Sequence, residues 1–239
     1  KHKNKLKSLE EKRVSWLNNW RKISDYIMPR RGVFSEEPND GNLQTSKIWD
    51  STATVAVERL ASGIHSGLTS PTRPWFKLLL FPMELMDRQS SREWFEVAEQ
   101  ILYNAFAHSN FYDALHEAYV ELVCFGSTCL LMEDINDGTL NFRVVPAGQY
   151  YLAESANGRI NTLYRKFWMQ LHQIVEQFGS SALPKRLNEM AKKDPYEWER
   201  IVHCIEPNLL YNKYNKKSVE KMYSSIYFIY ENNEGKYLK

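Results

Sequence analysis

The chain of 239 residues is 43% hydrophobic, 13% aromatic and 25% charged, a composition typical of globular proteins that excludes intrinsic disorder. Its length suits one large domain or two small ones. No apolar run approaches the roughly 18–20 residues that span a bilayer, and the basic, polar beginning lacks the apolar core of a signal peptide. We therefore expect a soluble chain with no sign of export.

The formal net charge of +2 is unevenly distributed. Residues 1–31 contain ten Lys or Arg and three Asp or Glu, a net charge of +7 that leaves −5 for the remainder. A solvated basic helix is the usual source of such a segment. The balance differs from the strongly basic one of a protein that binds nucleic acid tightly.

The first predicted helix ends at Met28-Pro29, and a long polar loop follows through 35–45. The first helix has a stripe of apolar residues along one side, and Arg13 stands at the one position of that stripe that is not apolar. The alternating spacing of three and four residues predicts a helix packed along another helix. The other members of the stripe are Leu6, Leu9, Trp16, Trp20, Ile23 and Ile27.

A central helix is predicted over 50–70, with Asp50 and Ser51 as candidate caps. It ends before Pro71 and Pro74 because each proline disfavours helix in the residue before it. Glycines at 63 and 67 permit a close helix crossing. The segment 75–81 is predicted to be a buried strand. The predicted inward face of the helix comprises Ala53, Val57, Leu60, Ile64 and Leu68.

Two further helices are predicted, one opened by Ser90 or Ser91 and one from Asn110 to Phe125, where Gly126 provides a left-handed end. The first of these has a predicted apolar face of Trp94, Ala98, Ile101, Leu102 and Ala105. The second has predicted inward residues Phe111, Ala114, Leu115, Ala118, Tyr119 and Leu122.

From residue 127 the period becomes that of strands. Strands at 128–133 and 140–145 flank an Asp-Gly turn, and strands at 150–154 and 159–168 flank an Asn-Gly turn. The antiparallel meander continues after two short helices, at 170–178 and 183–191. It is completed by strands at 197–206 and 222–231 and by a turn at 232–235 before a last strand at 236–239. We predict an α+β fold with N-terminal helices on an antiparallel, partly barrel-like sheet. Its mainly helical part is 1–126, and its β-rich part is 127–239.

Several motifs resemble the head-to-tail connector (portal) proteins of short-tailed bacteriophages. The string from Leu68 to Phe76, LTSPTRPWF, matches a turn of that family that no physical rule demands. The resemblance extends over roughly residues 16–235. It includes Asp50-Ser51-Thr52, Leu60-Ala61-Ser62-Gly63, Trp20 to Arg31, Tyr164 to Phe167, and Val202-His203 with Glu206-Pro207.

The resemblance implies a structural subunit, without enzymatic activity or cofactor, of a dodecameric ring at one capsid vertex of the virion. Double-stranded DNA passes through such a ring, which assembles in the host cytoplasm and works with terminase, capsid and tail proteins and no membrane. Full connectors are about twice this length, so we expect this chain to be the wing region, as a fragment without stem and clip. Arg30, Arg31 and Arg73 are the candidate contacts to DNA or to a neighbouring subunit.

Two alternatives remain open. One is a stand-alone interaction module derived from a prophage portal gene. The other is a metal-dependent nucleic-acid-processing enzyme that uses Asp113, His116 and Glu117. These residues lack the usual spacing of helical metal ligands. The simpler interpretation is a solvated helix face that also includes Glu121. The sequence contains no glycine-rich phosphate-binding loop, so it does not predict an ATP-driven motor.

Other chemistry-bearing residues are assigned to packing or helix ends. His65, near Ser62 and Ser66, lacks a visible orienting group, so no Ser/His couple is predicted. His203 and Cys204 are expected in a core strand, and most Trp and Tyr residues on apolar stripes. The cysteines, Cys124, Cys129 and Cys204, show no metal-ligand pattern and favour reduced, buried thiols over a disulfide.

Overall fold

The computed structural model describes residues 2–29, 47–134, 138–212, 214, 217, 221–231 and 237–238. Arg30, Arg31, the predicted loop at 35–45 and the predicted turn at 232–235 therefore lie outside the described residues. None of the helices in the described part is long and apolar enough to cross a membrane.

The chain forms two compact units. We call the first the sheet unit; its described residues lie within 2–19 and 148–238. The second, the helix unit, has its described residues within 20–29 and 47–147. These units are defined by contacts, whereas the predicted boundary after residue 126 separates a mainly helical part from a β-rich part. That predicted domain boundary stays a prediction.

The predicted α+β class is confirmed, and each predicted helix is present. Helix α1 agrees with its predicted end, whereas α6 begins two residues later than predicted, with Pro184 as its N-cap. The α-helices are α1 (His2–Ile27), α2 (Thr52–Leu68), α3 (Gln89–His108), α4 (Phe111–Phe125), α5 (Leu171–Phe178) and α6 (Lys185–Lys193), with a 3-10 helix at Met83–Asp87.

The strands pair in two separate antiparallel sheets, which corrects the prediction of one continuous meander. The first two strands form a hairpin in the helix unit, and the other four form a meander in strand order in the sheet unit. Neither sheet of the described residues closes into a barrel. The strands are β1 (Cys129–Asp134), β2 (Leu140–Val145), β3 (Tyr150–Glu154), β4 (Ile160–Gln170), β5 (Trp198–Pro207) and β6 (Tyr223–Ile229).

The four-stranded sheet is covered on both faces. Ile201 on β5 packs with Ile174 of α5 and Leu187 of α6, whereas Val202, its neighbour, packs with Leu6 of α1. Successive strand residues point to opposite faces, so a strand buried on both faces reads as a continuous apolar run. Leu6 is buried as predicted, but Trp16 is exposed because the predicted stripe of α1 is only partly covered.

The helix unit has a smaller core around α4. Ala61 of α2 packs with Val120 and Met28, and Phe111 packs with Ala114 and with Phe142 of β2. The predicted inward face of α4 is largely confirmed, but Leu122 is exposed. Gly126 has the predicted left-handed conformation, with φ of 74°, and its N–H donates to the Leu122 carbonyl.

Candidate assembly surface

Helix α3 carries four large apolar side chains on its exposed side, whereas its Phe95 and Phe106 are half-buried. Trp94, Val97 and Ile101 follow one another at helical spacings of three and four residues, and Trp94 and Ile101 are 65% and 61% exposed. Leu102 beside them is also exposed, and no residue of α3 is fully buried. The predicted inward face of this helix was therefore wrong for Trp94, Ile101 and Leu102.

The opposite side of α3 is attached by polar groups and aromatic rings. The Tyr103 hydroxyl accepts the N–H groups of Trp75 and Phe76, each at 2.9 Å, and donates to the Phe76 carbonyl at 2.9 Å. The Glu99 carboxylate accepts the Leu78 N–H at 2.6 Å. These bonds join the segment 75–80 to α3, and the segment pairs with no strand of the described residues, so the prediction of a buried strand at 75–81 was wrong.

Helix α2 turns only part of its predicted face inward, because Val57 packs against the core as predicted while Ala61, outside that face, is fully buried. Ala61 is buried against α4, and Thr54 donates to the Ile27 carbonyl at 2.8 Å. Leu60 and Leu68, predicted inward, are 53% and 65% exposed. A side chain on Gly63 would meet no described atom within 4 Å, so the predicted close helix crossing is absent from the described residues.

We call the exposed apolar residues of the helix unit that flank these contacts the apolar surface set. Monomeric soluble proteins rarely expose large apolar areas, and such areas mark interaction sites. The set comprises Val55, Leu60 and Leu68 on α2, Leu79, Phe81 and Met83 after it, and Trp94, Val97, Ile101 and Leu102 on α3.

The tryptophans support the same interpretation. None of the seven is buried, and four of them, including Trp94, are exposed, which corrects the assignment of most aromatic residues to the core. Tryptophan is enriched at interfaces because it provides a large contact area with one polar handle. The other exposed members are Trp16, Trp49 and Trp198.

Sequence comparison decides the family. The profile of the family described as bacteriophage head to tail connecting protein matches residues 1–239, the whole chain. The chain belongs to this family. The predicted resemblance to head-to-tail connectors is thereby confirmed.

Two curated relatives of this connecting protein are portal proteins of phages. The chain is 33% identical over 222 residues to the probable portal protein of Bordetella phage BPP-1, covering 92% of the chain and 40% of that protein. It is 34% identical over 225 residues to the portal protein of Salmonella phage epsilon15, covering 93% of the chain and 40% of that protein. The chain thus spans about 40% of the length of these relatives.

The motifs of the connecting protein lie at the ends of α2. Asp50 precedes the N-cap residue Ser51 and accepts the Thr52 N–H, the first of the helix, at 3.0 Å, whereas Ser51 makes no side-chain cap hydrogen bond. Hydrogen bonds from the side chain and then the backbone of Thr52 lower the pKa of the Asp50 carboxyl. Arg73 in the turn after the helix is exposed, and its guanidinium donates to the Ser66 carbonyl at 2.9 Å. The arginine therefore braces the turn through a backbone carbonyl of α2.

The acidic cluster on α4 separates into different environments. Glu121, predicted to be solvated, is buried and accepts the Ala147 N–H at 3.1 Å. His116 is half-buried, with its Nε2 3.3 Å from Oε2 of Glu58. Among the described residues, Asp113, His116 and Glu117 do not gather at the distances of a shared metal ion.

His65 lies against three rings of the same unit, those of Tyr112, His116 and Tyr119. Burial, together with the charge of His116, lowers the pKa of His65. Within the described residues its buried Nε2 has no hydrogen-bond partner, and the Ser66 hydroxyl donates to the Gly63 carbonyl instead. The geometry is that of a packed histidine at a helix end.

The cysteines are free thiols, but only Cys204 is fully buried, since Cys124 and Cys129 are half-buried. His203 is buried as expected, with its Nε2 2.8 Å from the Ser225 hydroxyl and its ring stacked on Tyr227 at 4.0 Å. His203 and Cys204, both expected in a core strand, thus lie in the core of the sheet unit.

Proposed function

We propose that this connecting protein is a structural subunit of a phage head-to-tail connector ring through which double-stranded DNA is packaged and ejected. The ring, dodecameric in full-length connectors, lies at a capsid vertex of the virion, forms in the host cytoplasm, and works with terminase, capsid and tail proteins. Family membership supports this role. The observation that carries the mechanical argument is the exposed apolar side of α3.

In the proposed mechanism the apolar surface set contacts the neighbouring subunit. A ring requires head-to-tail contacts between two different patches of the subunit, and these contacts must close. Interface cores favour aromatic side chains such as Trp94, which bury much area at a small entropy cost. The exposed Gly63 and Gly67 of α2 leave room for another backbone to approach.

The proposed contact with DNA is weak and independent of base sequence. Each cation that binds a phosphate adds affinity by releasing a counterion, so many such contacts would hold the polymer in place. The net charge of +2 is compatible with a channel through which DNA slides. We include Arg73, and Arg30 and Arg31 outside the described residues, as candidate contacts to DNA or to the next subunit.

The test is the mass of the chain in solution across protein concentration, by light scattering and native mass spectrometry. We expect association that the double substitution Trp94→Glu with Ile101→Glu abolishes. Met132→Glu is the matched control, because Met132 is equally exposed but lies on β1, outside the apolar surface set. A chain that stays monomeric at every concentration would contradict self-assembly through this surface and favour the stand-alone interaction module.

A second measurement tests the DNA contact. Fluorescence anisotropy with duplex DNA is expected to show weak binding that falls with salt, and Arg73→Ala is expected to reduce the salt dependence while Arg73→Lys retains it. Tight, salt-insensitive binding would contradict a sliding contact. Divalent-metal-dependent cleavage of the DNA that Asp113→Ala abolishes would instead support the enzyme alternative.

A further inference from the structure

A cluster of three metal-ligand side chains lies in the sheet unit, apart from the apolar surface set. The Nδ1 of His2, the Sγ of Cys204 and a carboxylate oxygen of Glu206 all lie within 4.8 Å of one another. Among the described residues this is the group of His, Cys, Asp and Glu side chains that could share a metal ion.

The fold builds this cluster from two distant segments. Cys204 and Glu206 are two positions apart on β5, so they lie on the same face of the sheet. Helix α1 covers that face, because Leu6 packs with Val202 and Cys204. His2 in the first turn of α1 is thereby brought to Cys204, which is 202 positions away along the chain.

The distances fit a small tetrahedral ion. Nδ1 of His2 is 4.0 Å from Sγ of Cys204 and 3.6 Å from Oε1 of Glu206. Bonds of the usual length from zinc to nitrogen, oxygen and sulfur place such ligand atoms about 3.3–3.6 Å apart, so the two distances from His2 need to shorten by only a few tenths of an ångström. The third pair, the Cys204 sulfur and the Glu206 oxygen, lies within 4.8 Å.

The surroundings orient the carboxylate of Glu206, whose side chain is mostly buried, as is that of His2. The other oxygen of Glu206, Oε2, accepts from the Lys5 ammonium at 3.2 Å and from the Tyr164 hydroxyl at 3.4 Å. Tyr164 also lies 3.2 Å from Nδ1 of His2 and pairs with Cys204 across the sheet. These bonds leave Oε1 directed at His2, which is the role that outer-shell partners have in metal sites.

We propose that His2, Cys204 and Glu206 bind one zinc ion that clamps the start of α1 onto β5. A donor set of one nitrogen, one sulfur and one oxygen suits zinc better than magnesium or calcium, which prefer oxygen alone. Zinc replaces the thiol proton of Cys204, which leaves to solvent, and the three ligands leave a fourth position for water.

The test uses cobalt as a spectroscopic substitute for zinc in the full chain, with extra residues before Lys1 that keep the terminal amine away from His2. Demetallated protein is titrated with Co²⁺. We expect one equivalent to produce a thiolate-to-cobalt absorption band and tetrahedral visible bands, and zinc to displace them. Zinc is also expected to raise the midpoint of thermal unfolding relative to EDTA.

Substitutions assign the site. Cys204→Ser is expected to abolish the thiolate band, whereas Cys124→Ser and Cys129→Ser, the matched cysteine controls, leave it unchanged. Because Cys204 is fully buried, His2→Gln serves as a second variant at a helix end, where the fold is retained, and we expect more than tenfold weaker cobalt binding. Tyr164→Phe is expected to weaken binding about tenfold through the lost orientation of Glu206.

Two results would overturn the proposal. One is the absence of any thiolate band in the native chain at excess cobalt. The other is a band that survives in folded His2→Gln with unchanged affinity, or one lost in Cys124→Ser, since either would place the metal elsewhere. In those cases the cluster is a polar network in which His2, Lys5 and Tyr164 hold Glu206.

Discussion

Strand β5 of the sheet unit and helix α3 of the helix unit bury their apolar residues in opposite ways. Ile201, Val202 and Cys204 of β5 are 0% exposed, because helices cover both faces of the sheet. Helix α3 is longer and equally rich in large apolar side chains, yet none of them is fully buried. One region thus completes its core within the chain, whereas the other leaves large apolar side chains exposed.

The largest expected effect compares the same substitution in the two regions. Ile201→Ala removes fully buried methyl groups and is expected to lower the free energy of unfolding by roughly 2–5 kcal/mol. Ile101→Ala, on the exposed side of α3, is expected to change it by less than about 0.5 kcal/mol. Urea denaturation combined with amide hydrogen exchange measures each unit separately, since two compact units need not unfold together. Equal losses would show that α3 is buried within the chain and would end the comparison.

The next substitution sharpens the account of how α3 is attached. Tyr103→Phe removes the hydroxyl that holds the backbone of Trp75 and Phe76 and is expected to cost roughly 1–2 kcal/mol. Tyr112→Phe is the control, because among the described residues its hydroxyl accepts one hydrogen bond, from the Trp75 indole nitrogen at 3.4 Å. Faster amide exchange at Trp75 and Phe76 in Tyr103→Phe alone is the expected result. Unchanged exchange would mean that ring packing suffices to hold the segment.

Two glycines of the helix unit are expected to respond with opposite signs. Gly126→Ala forces a side chain into the left-handed conformation, with φ of 74°, and is expected to cost about 1–2 kcal/mol. Gly63→Ala lies inside α2 in open space and is expected to stabilise the unassociated chain by about 0.5–1 kcal/mol, because glycine loses more backbone entropy on folding. Thermal unfolding at low protein concentration measures both. A destabilised Gly63→Ala would reveal a close contact at α2 within the chain.

The smallest effect is the pH dependence of the helix unit. Because burial and the charge of His116 lower the pKa of His65, the unfolded chain binds the proton more readily than the folded chain does. The stability is therefore complete above the ordinary histidine value of about 6.5 and declines as the pH falls below it. His65→Gln is expected to flatten this decline. His108→Gln, the control at an exposed position of a helix, is expected to retain it. Parallel curves for all three proteins would refute the assignment to His65.

Local sequence pattern was sufficient where a residue interacts with close neighbours. The bounds of β2 and β3 were predicted to the residue, and the hairpin glycine at 158 has the expected positive φ of 71°. The end of α4 at Gly126 follows from the same conformational freedom. These features depend on backbone preferences that act over a few residues, so the sequence alone contained the information.

The inward sides of α2 and α3 needed the tertiary structure. Both helices have more than one apolar side, and periodicity cannot tell which side meets a neighbour. On α3 the choice is made by Tyr103 and Glu99, polar residues that a hydrophobic pattern leaves out. Leu60 and Leu68 of α2 and Trp94, Ile101 and Leu102 of α3 were therefore assigned to inward faces, and the structure shows them exposed.

The sequence by itself determined the α+β class, nearly all the elements and, through its motifs, the connector family. Only the tertiary structure decided that the strands form two separate sheets, that α3 turns Trp94 outward, and that His2 reaches Cys204. The physical reason is that secondary structure and motifs are set by residues a few positions apart. Burial and ligand clusters instead depend on which distant segments the packed chain brings together.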